Sequence, residues 1–154
     1  MATVAADHLG AIEQALNALV RGPNSARAHQ RISRVLGVDL DRAGFLLLRR
    51  VAEEGSVRLS ELAPRMGLDL STVSRQAQQL ERKELVVRER DPSDGRACTF
   101  TVSPAGRRVL GRFQEARLEI LSSVLEGWTE KERAQFARLF ERFVDDVISG
   151  WTDE

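Results

Sequence analysis

Apolar residues recur in steps of three and four over most of the chain, the spacing that lays one face of an α-helix against a core. From His8 to Arg21 they fall at Leu9, Ile12, Leu16, Leu19 and Val20. Gly22-Pro23-Asn24 then breaks the pattern, because Pro cannot continue an α-helical hydrogen-bond ladder. From Ala26 to Leu36 the stripe is Ala28, Ile32, Val35 and Leu36, with Arg27, Arg31 and Arg34 opposite, Ser25 as the expected N-cap and Gly37 as the stop. From Leu40 to Glu54, capped by Asp39 or Asp41, apolar residues cover most of the surface, which predicts a helix buried on several sides. Val57-Arg58-Leu59 predicts a brief strand.

A short helix is predicted from Glu61 to Met66, capped by Ser60, with Pro64 in its first turn or just past it and Gly67 ending it. Asp69 or Ser71 caps the next, which runs to about Lys83. On it Val73, Ala77, Leu80 and Glu84 share a narrow arc, while Ser71, Arg75, Gln78 and Arg82 lie opposite. The pattern then changes to that of strands. Leu85–Arg90 and Ala97–Val102 flank the turn Asp91-Pro92-Ser93-Asp94-Gly95 and predict a charged β-hairpin. Ser103-Pro104 opens a long helix as N-cap and N1 proline. Its apolar positions include Val109, Leu110, Phe113, Leu118, Ile120, Leu121 and Val124, and Gly127 stops it. Thr129 with Glu132 forms a capping box for a last helix, with a stripe from Phe136 to Ile148, ended by Gly150.

The fold class is therefore mainly α with a small β wing. Helix, turn, helix and hairpin follow one another from Leu59 to Gly95, the order of a winged helix-turn-helix. Such a reader needs a small residue where its helices cross, a Gly in the turn and an apolar residue seating the second helix; Ala63, Gly67 and Val73 fill these places. The outward residues near the start of that helix then face base edges: Ser71, Thr72, Ser74, Arg75 and Gln78. Arg pairs with guanine O6 and N7, and Gln with adenine N6 and N7. The N–H groups opening the helix suit a phosphate. The wing tip offers Arg90, Ser93 and Arg96, with Asp94 expected to orient Arg96.

Charge alone does not recommend DNA. The chain carries 23 basic and 23 acidic residues, whereas nucleic-acid binders usually show a basic excess. From Arg58 to Arg96 there are eight basic and seven acidic residues, so the placement of a few arginines must carry binding. The neutral balance keeps a second reading open: a winged-helix protein-interaction or ligand-binding module without DNA binding. Cys98 is the one cysteine, which excludes an intramolecular disulfide and a cysteine metal cluster. His8 and His29 show no shared metal-ligand spacing, and either lines a ligand cleft or sits at the surface. No phosphate loop or nucleophile elbow occurs, so neither an enzyme nor a cofactor or metal is expected. No apolar run approaches the roughly 20 residues of a membrane span, and, with no basic n-region or apolar h-region in MATVAADHLGAIEQ, no secretory signal is expected. A cytoplasmic protein with no membrane partner is expected.

The run LSELAPRMGLDLSTVSRQAQQLERKELVVRERDPSDGR, the following TVSPAGRRVL and the helix opened by WTEKERAQF resemble the MarR (multiple antibiotic resistance regulator) family, from about Leu40 to Val147. The resemblance implies a single MarR-like domain over 1–154. In it 39–103 form the DNA-binding lobe, 1–38 and 104–150 a helical dimerisation region, and 151–154 a tail. It implies a homodimer that reads a palindromic double-stranded DNA operator, a repressor in the usual case, and a small aromatic or anionic effector. Ser71, Thr72, Ser74 and Arg75 match the family's recognition-helix contacts, and Asp94 and Arg96 its wing pair. Phe45, Leu48 and Phe113 are expected to border an effector cleft. The family's peroxide sensing is not expected, since it uses a Cys in the first helix with nearby Tyr, and this chain has no Tyr.

Overall fold

The computed structural model describes residues 2–21, 24–95 and 97–152. Its helices are α1 (Ala2–Arg21), α2 (Asn24–Leu36), α3 (Arg42–Glu54), α4 (Leu59–Arg65), α5 (Leu70–Arg82), α6 (Pro104–Val124) and α7 (Glu130–Thr152). Between α5 and α6 run β1 (Val86–Arg90) and β2 (Cys98–Val102), an antiparallel pair in the register Val86 with Val102 through Arg90 with Cys98. The chain divides into two compact units, 1–114 and 115–154. The boundary falls inside α6, and the first two helices belong to the same unit as the β-hairpin. The Gly22-Pro23 break lies outside the described residues.

The core of the first unit is built on α3, as its breadth of apolar surface predicts. Phe45, Leu47, Leu48 and Val51 are buried there; α3 packs on α5 and β2, where Val73, Ala77, Leu80, Phe100 and Val102 are buried, and Leu62 of α4 is buried too. Asp41 caps α3 through its carboxylate, which accepts from the Gly44 N–H at 2.7 Å. His29 is no surface residue. It is buried against Phe113 and Phe45, with ring centroids 5.2 and 5.3 Å away, and its Nε2 lies 2.9 Å from the Leu40 carbonyl oxygen. Phe45, Leu48 and Phe113 are at most 3% exposed, and the two phenylalanine rings meet at 4.7 Å. All three lie in the core of the first unit, where an apolar stripe marks burial.

Three local boundaries also differ from expectation. Helix α4 starts at Leu59, so Ser60 lies inside it and Arg58 is its N-cap, without a side-chain bond. Val57 explains this. Its backbone pairs with Phe100 of β2 at 3.1 and 2.9 Å, which keeps the chain extended until Arg58 and lets it coil directly afterwards. Helix α2 starts at Asn24, so Ser25 is its second residue rather than its cap. Helix α7 passes through Gly150 to Thr152; a single Gly costs a helix only about 1 kcal/mol and does not oblige a stop.

Glu84 leaves the core arc of α5 because the helix ends first. It takes φ +57° and is exposed, and the Leu85 N–H closes the turn on the Leu80 carbonyl at 2.9 Å, a left-handed helix end. The expected cap of α6 is present: Ser103 Oγ accepts from the Gly106 N–H at 2.9 Å and its hydroxyl donates to the Glu84 carbonyl at 2.6 Å. Gly106 is required by close approach, since a Cβ there would lie 2.2 Å from the Leu85 carbonyl oxygen. In the second unit, Thr129 and Glu132 form the expected capping box, with the Thr129 N–H donating to the Glu132 carboxylate at 2.8 Å. Trp128 meets Phe136 edge-on at 5.3 Å.

Candidate nucleic-acid interface

The helix-turn-helix forms as its three key residues demand. Ala63 is 2% and Val73 1% exposed, and Gly67 takes φ +65° in the turn, where a side chain would be strained. The Leu68 N–H bonds to the Ala63 carbonyl at 3.0 Å, which closes the turn. With Val73, Ala77 and Leu80 buried, α5 exposes Ser71, Arg75 and Gln78 and half-buries Thr72 and Ser74. These five candidates therefore share the outward side of one helix.

Asp69 settles the choice of cap and changes what the start of α5 presents. Its carboxylate accepts from the Thr72 N–H at 2.8 Å, from the Thr72 hydroxyl at 2.7 Å and from the Ser71 hydroxyl. Those bonds, the Ser71 hydroxyl first, hold its carboxyl well below the usual carboxylate range. The helix start thus carries its own anion, which makes it a poorer seat for a phosphate than the sequence suggests. Ser71 and Thr72 spend their hydroxyl protons on Asp69, so outward they present lone pairs, suited to base amino groups.

The wing is organised by Asp91, which is 8% exposed. One carboxylate oxygen accepts from the Ser93 N–H at 2.7 Å, the Ser93 hydroxyl at 2.6 Å and the Asp94 N–H at 3.3 Å. The other accepts from Arg58 Nε at 2.6 Å, and Arg58 Nη2 reaches Ser93 Oγ at 3.2 Å. Arg58, then Ser93, hold the Asp91 carboxyl well below its ordinary range. One of the two acids at the tip is therefore neutralised from the helix-turn-helix, a partner no local pattern could reveal. Arg90, Ser93 and Asp94 are exposed. Arg96, and with it the expected Asp94–Arg96 pair, lies outside the described residues.

A groove of about 270 Å³ separates α5 from the wing, lined by Ser74 and Gln78 on one side and Arg88, Cys98 and Phe100 on the other. The Arg88 guanidinium lies 6.0 Å from the centre of the Phe100 ring. Cys98 is a free, half-buried residue of β2. Among the described residues no group of three or more His, Cys, Asp or Glu could hold a metal ion, and no helix is long and apolar enough to cross a membrane.

A buried-faced second helix with a polar outward side, beside a two-stranded wing, defines a winged helix-turn-helix DNA-binding regulator of transcription. The MarR family profile matches residues 40–98. YxaD of Bacillus subtilis (strain 168), an uncharacterised HTH-type transcriptional regulator, is 44% identical over 104 residues, 68% of this chain and 73% of its own. The HTH-type transcriptional repressor IacR of Pseudomonas putida is 27% identical over 121 residues, 75% of this chain and 72% of its own. A MarR family protein of Bacillus stearothermophilus has the same fold, with a TM-score of 0.76 at 24% identity over 92% of this chain and 96% of that one. The chain belongs to the MarR family.

Proposed function

We propose that the protein is a homodimeric repressor that reads a palindromic operator, with α5 in the major groove and the wing tip in the flanking minor groove. The observation that carries this reading is α5, whose inner face is sealed while Ser71, Arg75 and Gln78 stand exposed on the other. In this reading Arg75 takes a guanine and Gln78 an adenine, Ser71, Thr72 and Ser74 accept from base amino groups, and Arg90, Ser93, Asp94 and Arg96 serve the wing. The homodimer is supported by the exposed apolar side chains of α7, among them Phe136, Leu139 and Phe140. The repressor sense is supported by the similarity to IacR. Release by a small aromatic or anionic effector completes the reading.

A gel shift with the DNA just upstream of the gene tests it. Arg75→Ala and Arg96→Ala should each weaken binding by about 10- to 100-fold, the worth of one good base or groove contact. Affinity should fall steeply with salt as phosphate counterions are released. Wild-type binding by both variants removes the site, and a flat salt response favours an interaction module that does not bind DNA. A thermal-shift screen with aromatic carboxylates, followed by the same gel shift, tests the effector.

A further inference from the structure

We propose that Arg58 is a positioning residue for the wing: through Asp91 and Ser93 it locks the hairpin tip to the helix-turn-helix, and the tip engages DNA only while that lock is closed. The inference rests on the DNA-binding reading above. Arg58 sits at a junction. The residue before it, Val57, is tied by two backbone hydrogen bonds to Phe100 in the wing, and the residue after it opens α4. Its side chain then crosses to Asp91, 33 residues on, at 2.6 Å, and to Ser93 at 3.2 Å.

Asp91 is the right target for such a lock, because one carboxylate serves both tasks. One oxygen takes Arg58; the other gathers Ser93 and the Asp94 N–H and so shapes the turn itself. Backbone bonds from Asp91 to Ala97 at 3.0 Å and from Ala97 to Asp94 at 2.9 Å close the loop around it. Releasing Arg58 would therefore leave the strands paired but free the tip from α4. The lock also cancels a negative charge beside the site where a phosphate backbone must pass.

Two simple electrostatic alternatives predict a different outcome for Asp91. If Asp91 merely repelled DNA, its removal would strengthen binding. If Arg58 merely attracted a phosphate, Asp91 would not matter. The test uses the full-length protein and a duplex that the wild type selects from a random-sequence pool. Guanine methylation reports the major groove, and hydroxyl-radical cleavage the flanking minor groove. Asp91→Asn and Arg58→Gln should each lower affinity about tenfold, lose flanking minor-groove protection and keep guanine protection, with unchanged circular dichroism. The double variant should be no worse than either single one, and Arg58→Lys should recover part of the protection. Binding by Asp91→Asn as tight as wild type or tighter overturns the proposal, as does intact flanking protection in Arg58→Gln. Should Asp91→Asn not fold, exposed Ser93→Ala carries the test, and undiminished flanking protection in that variant overturns the lock. A wild type that selects no duplex overturns the DNA-binding reading itself, a result distinct from these.

Discussion

The core of the first unit and helix α7 of the second spend the same residue types in opposite ways. In residues 1–114, Phe113, Leu48 and Leu62 are 0% exposed, and even His29 is held inside. In residues 115–154, Phe136 is 41%, Phe140 48% and Ile148 59% exposed, although they repeat at the same helical spacing. The difference separates what one chain completes by itself from what it leaves uncovered. The DNA-binding lobe has a closed core and can hold its polar face in a fixed shape. Large exposed apolar surfaces such as that of α7 commonly mark interaction sites.

Two phenylalanine substitutions would break this comparison most sharply. Phe113→Ala empties a fully buried site and should cost about 3–5 kcal/mol at any protein concentration. Phe140→Ala loses a stacking contact with Phe136 within the chain but should act chiefly through self-association. The wild-type melting temperature should rise with protein concentration, and that dependence should shrink in Phe140→Ala. Melting curves across a hundredfold dilution series, with sedimentation on the same samples, check both. A folded wild-type monomer at micromolar concentration would remove the homodimer and leave the exposed face of α7 without a partner.

A smaller effect sharpens the description of the closed unit. Gly106 and Gly111 lie in the same helix, α6, yet they answer to different constraints. A Cβ at 106 would sit 2.2 Å from the Leu85 carbonyl oxygen, whereas one at 111 meets nothing within 4 Å. Gly106→Ala should therefore cost about 1–3 kcal/mol by overpacking, because a backbone carbonyl cannot rotate aside. Gly111→Ala should gain about 0.5–1 kcal/mol from helix propensity. Opposite shifts of the urea midpoint confirm the contrast; a loss of equal size in both would mean that the approach of α6 to Leu85 is not what Gly106 serves.

What the sequence made legible was local. Ala63, Gly67 and Val73 act within a few residues of one another, and so do Ser103 with Gly106 and Thr129 with Glu132; each is present in the structure. What stayed hidden depends on distant partners. Arg58 and Asp91 are 33 residues apart, and nothing around either one announces the other. His29 looks like a surface residue on an arginine-rich helix until Phe113 is brought against it. The same limit misplaced the N-cap at Ser60, because the strand-like pairing of Val57 with Phe100 sets where α4 begins.

The least disruptive test of the lobe is acid. Asp91 and Asp69 both titrate well below the usual carboxylate range in the folded protein, the first chiefly through Arg58 and the second through the hydroxyls of Ser71 and Thr72. In the unfolded chain each returns to about 3.9. A depressed folded value contributes stability that is fully present above the unfolded value and fades as pH falls towards the folded one. The urea midpoint of the wild type should thus exceed that of Asp91→Asn by a constant margin from about pH 8 to about pH 5, and the margin should narrow below about pH 4. Asp69→Asn should show a smaller margin with the same pH dependence, because asparagine still accepts from the Thr72 N–H as an N-cap but adds no charge at the helix start. A margin for Asp91→Asn that stays constant down to pH 3 would mean that the carboxylate's charge, and therefore its pairing with Arg58, contributes nothing to holding the wing on the lobe.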